Sequence, residues 1–179
     1  RLNPNGTTDA YSNSVNNSIF SCDLQNDGKV IFGGSFTIPG PRIARMNVDG
    51  STDYSFDVGA GANDQVNVVK VLNNGKILVA GNFTNFAGVT CGRIVRLNSN
   101  NSLDTSFNSG QQGADGNINC VYILSNGKII IGGNFLSYNG VLVNRLVRIN
   151  SDGSIDSSFI VGSGANQVVN CVTEQADGK

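Results

Sequence analysis

Arg45-Met46-Asn47-Val48-Asp49-Gly50-Ser51-Thr52-Asp53-Tyr54-Ser55-Phe56 returns as Arg96-Leu97-Asn98-Ser99-Asn100-Asn101-Ser102-Leu103-Asp104-Thr105-Ser106-Phe107. It returns again from Arg148-Ile149-Asn150 through Asp156-Ser157-Ser158-Phe159. A weaker copy opens the chain, with Arg1-Leu2-Asn3 and Asp9. The copies start at 1, 45, 96 and 148, so the chain divides into repeats 1–44, 45–95, 96–147 and an incomplete 148–179. A fixed period of this size marks a repeat architecture, in which each unit buries its apolar face against its neighbours.

Two further blocks travel with the first. Gly28-Lys29-Val30-Ile31-Phe32-Gly33-Gly34-Ser35-Phe36 recurs from Gly75-Lys76 to Asn82-Phe83 and from Gly127-Lys128 to Asn134-Phe135, and Gly178-Lys179 begins it once more. An Arg-x-x-Arg block spans Arg42 to Arg45, Arg93 to Arg96 and Arg145 to Arg148. Each unit reads as short strands. Asn67-Val68-Val69-Lys70-Val71-Leu72 is β-branched and closed by the turn signal Asn73-Asn74-Gly75. Lys76 to Phe83 is a nearly continuous apolar run, suited to a strand buried on both faces. Arg93 to Asn98 is a third strand, and Ser-x-Asp-x-Ser-Phe a short fourth. The Gly-Gly pair fits close backbone approach near a crowded axis. The chain is therefore expected to be all-β: a partial β-propeller of about three and a half four-stranded blades built from ~51-residue repeats. An open β-solenoid or hairpin array is the alternative.

Composition agrees. The 179 residues carry 12 Lys+Arg against 13 Asp+Glu, with 23 Gly and 26 Asn. The balanced charge lacks the basic footprint of a nucleic-acid binder. The absence of His excludes Ser-His-Asp and Cys-His catalysis and the usual Zn sites within these residues. No stretch approaches the ~20 apolar residues of a helical membrane span. The opening at Arg1, inside a repeat, predicts that these residues are one part of a longer chain.

Arg-Leu-Asn-x-Asp-Gly-Ser-x-Asp-x-Ser-Phe followed by Gly-Lys-Ile-x-Val-Gly-Gly-x-Phe resembles the delta-60 repeat family, and the resemblance covers essentially the whole chain. The first unit departs from it at Ile38-Pro39-Gly40-Pro41, which shortens a loop. The resemblance implies a β-propeller and an extracellular, cell-surface or virion setting, including phage fibres. It implies no reaction and no cofactor.

Eleven of the 12 cations sit at repeat-equivalent positions, Lys70 being the exception. A residue present in every unit is expected to build the unit: the Arg set pairs with Asp53, Asp104 and Asp156 or with carbonyls. A ring of Arg binding an anionic glycan is the competing reading, with the two Arg of each block on opposite strand faces. Asn47, Asp49 and Asp53, with Asn150, Asp152 and Asp156, resemble fragments of calcium loops. They lack full EF-hand spacing and its terminal Glu, so hairpin turns are the expected use and no resident metal is expected. Cys22, Cys91, Cys120 and Cys171 show no Cys-x-x-Cys spacing, and Cys120 and Cys171 read as small core residues.

Function is therefore expected to be structural and non-enzymatic: an interaction module meeting protein partners or further blades. Self-association would be one way to close the ring. The alternative is a receptor- or glycan-binding, adhesin-like module. In that reading Asp57, Asp64 and Asp115, on the inserts 57–66, 108–117 and 161–167, form a rim, and Phe86 and Tyr138 stack on sugar rings.

Overall fold

The structure is a computed structural model that describes residues 5–7 and 15–175; Arg1, Asp9 and Lys179 lie outside them. The described residues form antiparallel strands and no helix. Each of three units contains one three-stranded sheet. In the first, β1 (Ile19–Leu24), β2 (Val30–Gly34) and β3 (Ile43–Met46) lie in sequence order. In the second, β4 (Val66–Val71) and β8 (Ile94–Leu97) flank β5 (Ile77–Gly81). In the third, β9 (Asn117–Ile123) and β13 (Leu146–Ile149) flank β10 (Ile129–Asn134). These are the blades of a partial propeller, and none of the sheets closes on itself.

The expected fourth strand is reduced to one pairing per unit: Met46 with Thr52, Leu97 with Leu103 and Ile149 with Ile155. The reason is local. Asp53 N–H still donates to the Arg45 carbonyl, but Phe56 N–H then turns back to the Asp53 carbonyl at 3.1 Å. The chain curls inward before a second strand pair can form. Two small hairpins lie outside the four expected strands: β6 (Asn85–Phe86) with β7 (Val89–Thr90), and β11 (Ser137–Tyr138) with β12 (Val141–Leu142). Their turns take positive φ at Ala87-Gly88 and Asn139-Gly140, the geometry of a two-residue hairpin. The shortened Ile38-Pro39-Gly40-Pro41 loop of the first unit has no such hairpin.

The core lies between blades. Ile31 and Ile43 of the first sheet pack with Val66, Val69, Ile77 and Val79 of the second. Val68, Leu78 and Ala80 on the other face of the second sheet pack with Ile118, Val121 and Ile131 of the third. Every residue of the central β5 is consequently buried, as its unbroken apolar run predicts.

Gly33 and Gly81, the latter the counterpart of Gly34, have separate jobs. A Cβ on Gly33 would stand 2.4 Å from Val66 Cγ1 of the next blade, so this position sets how closely two blades approach. A Cβ on Gly81 would stand 2.2 Å from the Gln65 carbonyl oxygen within its own sheet. There β4 carries a bulge between Val66 and Val68. Gly33→Ala is therefore expected to lower stability by about 1–3 kcal/mol through overpacking. Val66→Ala should relieve part of that loss by emptying the contested space. Denaturant unfolding of the two single variants and the double variant checks this; strictly additive effects would contradict it.

Candidate functional site

The charged motifs converge on one cluster, built three times. Asp53 Oδ2 accepts from Lys29 Nζ at 2.7 Å and from Arg45 Nε at 2.8 Å. Its Oδ1 accepts from the Ser55 hydroxyl at 2.6 Å and the Ser55 N–H at 3.0 Å. Asp104 repeats this with Lys76, Arg96 and Ser106, and Asp156 with Lys128, Arg148 and Ser158. Each guanidinium also lies over a ring: Arg45 over Phe56 at 5.0 Å, Arg96 over Phe107 at 4.8 Å and Arg148 over Phe159 at 4.6 Å. Lys comes from the turn before the central strand, Arg from the third strand, and Asp, Ser and Phe from the curled segment after it. Three elements of each blade are thus tied at one carboxylate.

Burial opposes ionisation of Asp53 and Asp104, but the bonds from lysine, serine and arginine outweigh it and hold both carboxyls well below the usual carboxylate range. At Asp156 the Lys128 and Ser158 bonds lead, with the same result. A carboxylate gripped this way has no free lone pair for proton transfer and no reason to attract calcium. Asp49 and Asp152, the other acids of the candidate calcium turns, are held low by Ser51 and Ser154, whose hydroxyl and N–H both donate to Oδ1. Asn47 and Asn150 each donate to the same serine hydroxyl, at 3.0 and 2.9 Å. Gly50 and Gly153 take positive φ there. These motifs build serine-capped turns.

The first Arg of each block departs from the strand-face expectation. Arg42, Arg93 and Arg145 stand just before their strands at φ of 67°, 65° and 73°. This backbone throws each side chain toward the next unit, where Nη1 donates to the carbonyl of Ala62, Ala114 or Ala165. Those alanines donate back to the carbonyls of Pro41, Gly92 and Asn144. The inserts expected to form a variable rim are therefore blade-to-blade joints. Their signal was the recurring Gly61-Ala62-Asn63, Gly113-Ala114-Asp115 and Gly164-Ala165-Asn166. Asp115 is the equivalent of Asn63, and its Oδ1 accepts from the N–H groups of Leu136 and Ser137 at 2.8 and 3.0 Å. Asp57 caps the Gly59 N–H, and Asp64 bonds the adjacent Gln65 N–H.

Phe86 and Tyr138 are fully buried, so neither offers a face to a sugar; packing takes both rings, and Tyr138 also donates to the Gly153 carbonyl at 3.2 Å. The four cysteines are free thiols. Burial pushes the thiols of Cys91 and Cys120 up to about 11, against any nucleophilic role. Among the described residues, no group of three or more acidic or cysteine side chains gathers in a metal-holding arrangement.

The clusters differ in enclosure, since the Arg96 side chain is 10% exposed and the Arg148 side chain 23%. Asp104→Ala strands a buried guanidinium and should cost about 3–5 kcal/mol. Asp156→Ala should cost less, and chemical denaturation ranks the two. Each of these carboxyls titrates lower when folded than the ~3.9 of an unfolded aspartate. The clusters' contribution is thus complete above about pH 5 and is lost as pH falls through the unfolded value and below. Stability measured from pH 7 downward should drop accordingly, and Asp53→Asn should flatten the drop.

A family model described as a domain of unknown function (DUF5122) beta-propeller matches residues 25–56, 72–107 and 124–159. These segments hold the Lys-turn, the third strand and the Asp-Ser-Phe curl. No curated protein matches the chain. Among solved structures, a protein of unknown function from Bacteroides caccae is similar with a TM-score of 0.47 and 18% sequence identity. The similarity covers 75% of this chain and 46% of that one. With three matched segments spanning more than half its length, the chain belongs to this family of β-propeller domains.

Proposed function

We propose that the chain is a non-catalytic interaction module, a propeller section of the delta-60 type within a larger secreted, cell-surface or virion protein. One observation carries this reading. Ile19 is 48% exposed, whereas its equivalents Val66 and Ile118 in the following blades are fully buried against the preceding blade. Leu24 on the same strand is 62% exposed. On this outer face Phe32 and Ala44 are covered together with Phe36 and Val15, while Ile19 and Leu24 stay exposed; the exposed part suits a further blade or a protein partner of the same apolar character. The charge pattern supports the non-catalytic part, because the strongly perturbed acids are copies of one blade-building cluster. The loop-based glycan alternative loses its two rings to the core.

The test has two arms. The native polypeptide, isolated from its source, is expected to exceed 18.7 kDa and to fractionate with the cell surface, secreted material or virions. The purified chain is expected to turn over no chromogenic ester, glycoside or phosphoester. A native mass of 18.7 kDa in the cell interior, or a turnover abolished by Asp64→Asn, would overturn the reading. A second copy is the other means of covering Ile19 and Leu24, and light scattering of the purified chain would then report a dimer.

A further inference from the structure

The first strand of each sheet (β1, β4 and β9) carries a feature that blade construction does not use. Each has a bulge at the same place: pairing skips Phe20 in β1, Asn67 in β4 and Asn119 in β9. Bulges re-aim a side chain out of the regular alternation. Here the three re-aimed residues, with the repeat-equivalent Asn170, line one concavity of about 440 Å³ on the first-strand side of the blades. Gln65 and Asn117 stand beside them.

The lining is uncharged. Asn67 Nδ2 donates to Asn82 Oδ1 and to the Ile118 carbonyl, both at 2.9 Å, which locks its amide and turns Oδ1 away from those partners. Asn82 in turn donates to Gln65 Oε1 at 3.1 Å. Asn119 Nδ2 donates to Asn170 Oδ1 at 3.2 Å. Among the described residues, this leaves the Asn67 and Asn119 oxygens as acceptors, the Gln65 and Asn170 nitrogens as donors, and the whole Asn117 amide without a protein partner. The Phe20 ring is half-exposed at the same concavity.

We propose that this concavity is a binding site for a neutral saccharide. A sugar hydroxyl both donates and accepts, and a primary amide offers both functions at fixed spacing. The volume falls in the ~300–1,000 Å³ range of small-ligand sites. An aromatic ring beside the amides supplies the apolar platform that the C–H face of a pyranose needs. No carboxylate or cation lines the concavity, so neither a metal ion nor an anion finds a charge partner; Lys70 borders the neighbouring concavity instead. Asn67, Asn82 and Gln65 hold one another, and Asn119 holds Asn170, so these amides are ordered before a ligand arrives. The residues named at the site, from Phe20 to Asn170, all belong to this chain.

The test is binding of the full chain to an array of neutral and acidic oligosaccharides, followed by calorimetric titration with the best neutral tetrasaccharide. Asn119→Ala, Asn170→Ala and Phe20→Ala are compared with Asn26→Ala, an exposed turn residue away from the concavity. Asn170 and Phe20 are exposed, so these variants should keep the parent unfolding midpoint. The expected result is binding of a neutral saccharide that weakens at least about 5-fold in each of the three variants and not in Asn26→Ala. Absence of neutral saccharide binding, preference for acidic saccharides, or equal affinity across all four variants would overturn the proposal.

Discussion

The structure depends on one carboxylate per blade. Asp53, Asp104 and Asp156 each join a lysine, an arginine and a serine that arrive from separate elements, and the arginine closes over a phenylalanine ring. A chain with so few charges and so many Gly and Asn residues has weak local propensity to hold its curled segments. A fully bonded ionic knot supplies the missing specification. Ionisation of the aspartate is favoured because three kinds of donor converge on it, and the arginine tolerates burial because its charge is met.

The same arginines reach beyond their own blade. Arg45 Nη1 donates to Asn101 Oδ1 at 3.4 Å, and Arg96 Nη1 donates to the Ser151 carbonyl, so the first two clusters each touch the turn of the next. The first Arg of each block adds a joint to the next alanine carbonyl. Blade construction and blade stacking therefore share groups. This explains why the cations recur so regularly, and why the two larger core clusters straddle neighbouring blades, while the smallest, Phe32 with Phe36 and Ala44, lies within the first.

Much of this was legible in the sequence, for physical reasons. Repetition exposed the units, and the unbroken apolar run of β5 declared a strand covered on both faces. The eight-residue interval from Arg45 to Asp53 put the pair on adjoining segments, where they meet. The lysine was visible as a recurring residue but not as the third partner, because Lys29 and Asp53 lie 24 residues apart in different motifs. Asn139-Gly140 is a hairpin signal that the four-strand reading does not use. The inserts looked variable because their lengths differ, while Gly-Ala-Asn/Asp at their centre holds the joint constant. The amides of the concavity were unreadable for a deeper reason: strand alternation assigns faces only while the register is regular, and the bulges at Phe20, Asn67 and Asn119 break it.

Whether the knot is an energetic unit is measured directly by a double-mutant cycle of Arg96→Met and Asp104→Asn in the middle blade, with unfolding free energies for the parent, both single variants and the pair. A favourable coupling of at least about 1 kcal/mol between the two side chains is expected. A coupling indistinguishable from zero would contradict it, and would leave the blades held by apolar packing alone.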